Sequence, residues 1–248
     1  MSVPTRIHPP RLGRRPRLHR QSGATMVEFA IVSPFALLFV LGIIQLGLMY
    51  SAKQVVNEGA FLAARAGAVH NAQVDEIRKV MVRSLVPFYQ DTTNTNDLTR
   101  LTLALASATT DTTCGLTSCF LNVEVVNPAP AAFDDFGINS SAAGGHTYIP
   151  NDNLEYRPHS YKGPTSGQSI QDANALRIKV TYAYELKVPL MRSVFKAIMC
   201  GIGTGVDAFG KGGGSVSDDC AAFYSQGRVP LVTYATVQMQ TPAWKPDG

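Results

Sequence analysis

The stretch Phe29-Ala-Ile-Val-Ser-Pro-Phe-Ala-Leu-Leu-Phe-Val-Leu-Gly-Ile-Ile-Gln-Leu-Gly-Leu-Met-Tyr-Ser-Ala52 contains no charged residue in 24 positions. A helix in a soluble core usually has a single apolar face, but this one is apolar on every face except at Ser33 and Gln45. From Phe29 to Tyr50 it would be about 33 Å long as a helix, enough to cross a bilayer core. The sequence therefore predicts a membrane span. The residues assigned to this membrane helix include Phe29, Pro34, Gly42, Gln45 and Tyr50.

The residues before this stretch are basic. Residues 1–23 contain six arginines and no acidic residue. By the positive-inside rule they hold the N-terminus in the cytoplasm and send residues from about 53 onward to the far side. Without these six, 16 of the 22 basic residues remain against 18 acidic ones. The net charge of +4 therefore comes from the head, and we expect no nucleic-acid partner; the apolar span disfavours the alternative of a basic binding arm.

A cleaved secretory signal is the main alternative to a retained span. Its apolar region is usually about 7–15 residues long and ends at a small-x-small site. Ser51-Ala52-Lys53 is a poor match to that site, and the helical pattern continues through it. We therefore expect one transmembrane helix that extends outward to residue 69.

All four cysteines follow the span: Cys114, Cys119, Cys200 and Cys220. An even number of cysteines in an oxidising compartment is typical of disulfides. The simplest pairing joins Cys114 to Cys119 and Cys200 to Cys220, although the sequence allows three pairings. Zinc is the rival interpretation, but a Cys-x4-Cys spacing without a nearby histidine is a poor ligand set.

The apolar helix is predicted to continue outward, and a second helix is predicted to follow it. Ala60, Ala64 and Ala68 share one helical face, and small residues at this spacing let another helix approach closely. The helix propensity of alanine explains the same pattern equally well. From Val74 the apolar residues recur at helical spacing for about four turns, and Pro87 ends the pattern.

From residue 98 onward the pattern predicts strands. Leu101, Leu103 and Leu105 alternate, and residues 119–125 do so as well. The clearest strand covers residues 176–188, where every even position is apolar, and residues 229–240 repeat the alternation. Four strands predict an antiparallel sheet packed on the helices, which is an α+β fold.

The predicted organisation has three parts. Residues 1–23 form a basic leader, residues 24–69 a transmembrane and extended helix, and residues 70–248 an outer α+β domain. Within that domain, residues 127–173 are rich in Pro, Gly, Ser and Asn and lack periodicity, which predicts a long surface loop. Residues 200–220 form a second, glycine-rich loop.

No motif favours an enzyme. Gly205 to Lys211 resembles a phosphate-binding loop, but Gly212 stands where Ser or Thr should hold magnesium, and no strand leads into it. The histidines after the span lack metal-pair spacing. We therefore expect no cofactor, no metal ion and no nucleotide.

One resemblance is specific. Residues 23–34, Gly-Ala-Thr-Met-Val-Glu-Phe-Ala-Ile-Val-Ser-Pro, lead into an apolar helix and resemble the N-terminus of TadE-like proteins. These are minor pilins, or pseudopilins, of the tight adherence (Flp, type IVc) pilus machinery of bacteria. The small-residue helix at 63–68 and, more loosely, the strands near 180–189 and 229–242 resemble the same family. Ala24 stands where most type IV and type II secretion pilins have Phe, which favours the Tad branch.

The resemblance implies a processing and assembly mechanism. A prepilin peptidase would cut between Gly23 and Ala24, and Glu28, followed by Phe29, would contact a neighbouring subunit's terminal amine. The implied partners are inner-membrane lipid, the peptidase, other pilins and Tad assembly platform proteins. The implied location is the bacterial inner membrane, with the outer domain in the periplasm and possible entry into a surface pilus. An uncut, single-span anchored binding protein outside any pilus is the alternative.

Overall fold

A computed structural model describes residues 24–93, 95–113, 120–139, 145–201 and 223–246. The chain divides into a short unit that ends at Leu41 and a larger unit that begins at Gly42. The helices are α1 (Ala24–Val69), α2 (Val74–Leu85), α3 (Asp97–Thr112), α4 (Pro130–Phe136), α5 (Ile170–Ala173) and α6 (Met191–Gly201). The strands are β1 (Leu121–Asn127), β2 (Ile138–Asn139), β3 (Thr147–Ile149), β4 (Ala175–Glu185), β5 (Arg228–Gln238) and β6 (Ala243–Trp244). Short 3-10 turns lie at Val86–Tyr89, Leu154–Tyr156 and Tyr224–Gln226.

The larger unit is built on an antiparallel sheet in the order β1-β4-β5. The central strand β4 pairs along its whole length with β5, from Ala175 opposite Gln238 to Glu185 opposite Arg228. The even-numbered residues of β4 are buried, as their alternation predicts, because successive side chains of a strand point to opposite faces. The α+β fold predicted from the sequence is confirmed.

Helix α2 packs on the buried face of this sheet, as its helical spacing predicts. Its buried residues are Ile77, Met81, Val82 and Leu85. Acidic side chains at Asp75 and Glu76 occupy the first turn and Arg83 the last, which complements the helix dipole.

The strand predicted at residues 101–105 is wrong, because α3 occupies this segment. The Asn96 side chain accepts hydrogen bonds from the backbone N–H groups of Leu98 and Thr99, which starts the helix. Ala104, Ala108 and Thr112 recur every four residues and form the buried face. The alternating leucines are exposed, so they gave a misleading strand signal.

The interpretation of residues 127–173 as a long surface loop is also corrected. The described part of this segment contains α4, α5, β2 and β3, and it buries Phe133, Ile149 and Ile170. Strand β3 pairs with β6 near the C-terminus, so a second small sheet forms in the order β2-β3-β6. The predicted four-stranded sheet is therefore a three-stranded sheet with a smaller one beside it.

Candidate functional site

The residues predicted to carry the function lie on α1, whose first part is apolar and exposed. Met26 to Val69 is a helix that is long and apolar enough to cross a membrane, and its most apolar 18-residue window has a mean hydropathy of 2.4 with no buried residue. Phe29 and Phe35 are each more than 70% exposed. No protein face covers these side chains in the described residues of this unit, which suits a lipid environment.

The predicted processing residues fall at the beginning of this helix. Gly23 lies outside the described residues, and Ala24 is the first residue of α1. Glu28 is exposed, one turn further along. Pro34 lies inside the helix within its first three turns.

From Gln45 onward, α1 has one buried face. The buried residues recur at helical spacing along one face, and we call them the seam: Gln45, Ala52, Val56, Gly59, Ala60, Ala63, Ala64, Gly67 and Ala68. Most are Ala or Gly, so the helix backbone lies close to its neighbours. A Cβ built on Gly67 would lie 2.7 Å from Ile77 of α2 and 2.9 Å from Leu176 of β4. The small-residue face therefore packs against this chain's own α2 and sheet.

Polar contacts fix the seam along β5. Thr233 Oγ1 lies 2.6 Å from Asn57 Oδ1, and the Thr233 hydroxyl is the donor of this pair. The Lys53 ammonium donates to the backbone carbonyl of Val232. Near the end of α1, the carbonyl of Ala68 accepts from the backbone N–H of Gln240 at 3.0 Å. These bonds hold the helix in one register on the sheet.

Gln45 is the first residue of the seam and is fully buried. Its Oε1 accepts a hydrogen bond of 2.9 Å from the backbone N–H of Val188, which follows β4. Its Nε2 is buried without a hydrogen-bond partner among the described residues. Gly42 is half-buried and Tyr50 is mostly exposed. The sequence marked Gln45 as a polar residue of the span but gave no sign of its partner.

A polar cluster that sequence reasoning missed joins α3 to the sheet. Asp111 accepts two hydrogen bonds from the Arg228 guanidinium, at 2.9 and 3.0 Å, and one from the Tyr89 hydroxyl at 2.5 Å. The Tyr89 hydroxyl also lies 3.2 Å from that of Tyr182. Burial raises the pKa of Tyr89, and its bond to Asp111 raises it further, so the phenol stays protonated and donates.

This cluster has the features of a structural support. The Arg228 guanidinium also lies 3.9 Å above the Phe120 ring centre and donates to the carbonyl of Ala183. A guanidinium held at once by a carboxylate, a backbone carbonyl and an aromatic ring is more typical of a fixed support than of a reacting group. Among the described residues, no group of three His, Cys, Asp or Glu side chains could hold a metal ion. Asp111 and Arg228 are too far apart in sequence for any spacing rule to have paired them.

The cysteine predictions cannot be placed in this geometry. Cys114, Cys119 and Cys220 lie outside the described residues, and only the backbone of Cys200, in α6, is described. The phosphate-loop-like segment at 205–212 also lies outside them. The disulfide pairings stay predictions.

Comparison with known families gives one match. A family model described as TadE-like protein matches residues 23–65. This range covers the exposed part of α1 and most of the seam, and the resemblance drawn from the sequence is confirmed there. Neither the comparison with curated proteins nor that with solved structures found a match.

Proposed function

We propose, from the TadE-like segment at residues 23–65, that this chain is a minor pilin of a tight adherence pilus system. The observation that carries the proposal is the match itself. It falls on an apolar helix that has Glu28 in its second turn. The chain would insert through α1, with its basic head in the cytoplasm and residues after about 53 in the periplasm.

Processing is the first step of the proposed function. A prepilin peptidase would cut after Gly23, removing the arginines and leaving the amine of Ala24 at the start of α1. The mature protein would then have a helix N-terminus with little charge apart from that amine and Glu28. A carboxylate at a membrane edge is costly unless it is paired. Glu28 would therefore pair with the terminal amine of a neighbouring pilin as subunits assemble.

The geometry of α1 supports an assembly role for the part of the helix before Gln45. The seam is already filled by this chain's own α2 and sheet, so its small residues are not available for close packing with another helix. The exposed apolar residues before Gln45 have no such cover in the described part of their unit. Other pilins would therefore contact this subunit through the part of α1 before Gln45, within the membrane.

Intact mass of the membrane-extracted protein tests processing. We expect a mature chain that begins at Ala24, and Gly23→Val should leave the leader attached. A wild-type chain that begins at Met1 would contradict the processing step.

Assembly has a separate test in Glu28→Ala. We expect normal levels of processed protein with loss of piliation and surface adherence, since the terminal amine of the next subunit loses its partner. Glu58→Ala is the matched control, because Glu58 is an exposed carboxylate on the same helix, about eight turns beyond Glu28 and outside residues 23–34. If Glu28→Ala is indistinguishable from Glu58→Ala and the leader is retained, the anchored binding protein becomes the better description.

A further inference from the structure

The first residue of helix α6 lies near Gly42 of α1, in the second half of the apolar stretch. Met191, its first residue, is buried, and a Cβ built on Gly42 would lie 4.0 Å from the Met191 sulfur. Three residues before α6, Val188 donates to Gln45. The beginning of α6 is therefore level with residues 42–45.

The depth of residues 42–45 follows from helix length. About 20 residues of α-helix, rising about 1.5 Å each, cross the hydrocarbon core. A span that starts after Glu28 ends near Leu48, so Gly42 and Gln45 would lie within about 10 Å of the outer boundary, on its inner side. A protein segment in contact with them must then lie in or next to the headgroup region.

Helix α6 has the composition of a segment that lies in a membrane surface. Val194, Phe195 and Ile198 share the apolar face with Met191, and Ile198 is 48% exposed. Arg192 and Lys196 are exposed one turn apart on the other side, and the helix carries no acidic residue. Arg192 pairs with Glu185 of β4 at 3.2 Å, so Lys196 is the basic residue of α6 that we assign to lipid. Amphipathic helices of this kind bury their apolar face about 5–10 Å into the headgroup and acyl boundary, while basic side chains attract anionic lipids.

The residue before the helix extends this apolar surface. Leu190 is 57% exposed and has a φ of 71°, in the left-handed region that residues with large side chains seldom occupy. The unusual backbone turns the chain into α6 and leaves the leucine side chain uncovered. Such conformations persist where the surroundings require them.

We propose that Leu190 and α6 form a second membrane contact, lying in the headgroup region of the leaflet next to the outer domain, with anionic phospholipid as the partner. Leu190 and Ile198 enter the acyl boundary, and Lys196 contacts lipid phosphates. The outer domain is thereby held against the bilayer at a fixed tilt. This inference rests on α1 crossing a bilayer, which is part of the function proposed above, and not on processing or pilus assembly.

Tryptophan quenching in vesicles tests the contact with the full chain. The protein is reconstituted in phosphatidylcholine and phosphatidylglycerol that are brominated near the headgroup end of the acyl chains. Trp244, the sole native tryptophan, is first replaced by Phe. Single tryptophans are then introduced by Ile198→Trp, by Phe35→Trp within the span, and by Tyr156→Trp. Tyr156 is 82% exposed and lies next to α5, which precedes β4, whereas α6 follows β4.

We expect the fluorescence of tryptophan at 198 and at 35 to fall by at least about twofold in brominated vesicles, because both lie at acyl-chain depth. Tryptophan at 156 should be unaffected. Quenching at 35 without quenching at 198 overturns the α6 contact and leaves the span intact. Absence of quenching at both positions overturns the span as well, and equal quenching at 156 and 198 overturns a contact specific to α6.

A charge variant tests the choice of lipid. Lys196→Glu, added to the Ile198→Trp chain, should reduce the quenching at 198 in vesicles that contain phosphatidylglycerol. The same change in the Phe35→Trp chain should have no effect at 35, since the span does not depend on it. Unchanged quenching at 198 would overturn the role of anionic lipid.

Discussion

Both parts of helix α1 contain many apolar residues, but their surroundings differ. Up to Leu41, its large apolar side chains are exposed within their unit. From Gln45 onward, the same helix presents a seam of Ala, Gly and Val that is buried against α2 and the sheet. Apolar character alone therefore does not define the role of a helix. A helix face made of small side chains can pack closely against protein, whereas a face made of large apolar side chains suits contact with lipid.

The largest expected contrast compares a core leucine with a leucine of the exposed part. Leu176→Ala should lower the free energy of unfolding of the outer domain by about 2–5 kcal/mol, because it leaves a cavity beside the seam. Leu37→Ala, at a position 60% exposed, should change it by less than about 0.5 kcal/mol. Denaturant unfolding of the detergent-solubilised chain, followed by Trp244 fluorescence, measures both. Equal effects would mean that the two parts are not energetically distinct.

A second contrast uses two glycines of the same helix. Gly67→Leu should destabilise the outer domain by about 1–3 kcal/mol, because the new side chain would overlap Ile77 and Leu176. Gly47→Leu should be neutral, since nothing lies within 4 Å of a Cβ at that position. The same unfolding assay applies. A tolerated Gly67→Leu would show that the seam is not closely packed.

The boundary between the two parts can be tested at Gln45. Gln45→Leu should cost about 1 kcal/mol, because the Val188 N–H loses its acceptor in a buried position. Hydrogen exchange in lipid nanodiscs should show faster exchange of Val188, while residues near Ala64 keep their protection. The control is Leu46→Gln at the next position, which is 59% exposed. It places an amide on the exposed side of the helix and should leave the exchange of Val188 unchanged.

The smallest expected effect is a pH dependence that should appear at the periphery of the outer domain, around Asp135, and not in the seam. Partial desolvation raises the pKa of Asp135, but hydrogen bonds from Ser166 and Thr165 outweigh it and hold the pKa at about 2, below its ordinary value of 3.8. The stabilisation is present above 3.8 and is lost as the pH falls through about 2. Amide protection of Ser166 should decline in that range, whereas the uncharged seam should not respond.

Asp135→Asn is the control for this pH dependence. Without the carboxylate, protection of Ser166 should be lower at neutral pH and should not decline further between pH 3.8 and about 2. A variant that retains the full decline would assign the pH response to another group.

Prediction from the sequence succeeded for those elements in which the large apolar residues are also the buried ones. In β4, every even position faces the core, so the alternation that is visible in the letters is the alternation of burial. In α3, the large apolar residues are exposed and the buried positions are Ala104, Ala108 and Thr112. A prediction that weighs residues by size follows the wrong set there and assigns a strand.

The segment 127–173 was missed for a different reason. Its elements are two to seven residues long, which is too short for either period to be visible. Strand β3 acquires its partner β6 about 95 residues later, and such pairings leave no local trace. The capping box of Ser169 and Asp172 at the start of α5 was a signal that could have been used.

For the candidate site, the sequence located the helix and the motif but not what the helix contacts. The positions of Glu28 and the apolar run are readable along the chain. The bond from Val188 to Gln45 joins residues 143 positions apart, and only the fold brings them together. The seam's spacing was visible, yet its partner could equally have been a second subunit.

The docking of α1 along β5 has a practical consequence for making this protein without its membrane helix. Among the described strands, β5 pairs only with β4, so its other edge would be open to strands from other molecules. In the intact chain, Lys53 and Asn57 of α1 bond to Val232 and Thr233 at that strand. A truncation that begins at residue 70 would expose both this strand edge and the apolar residues of α2 and the sheet that pack against the seam. We expect this fragment to aggregate. A truncation that begins just before Gln45 keeps them covered.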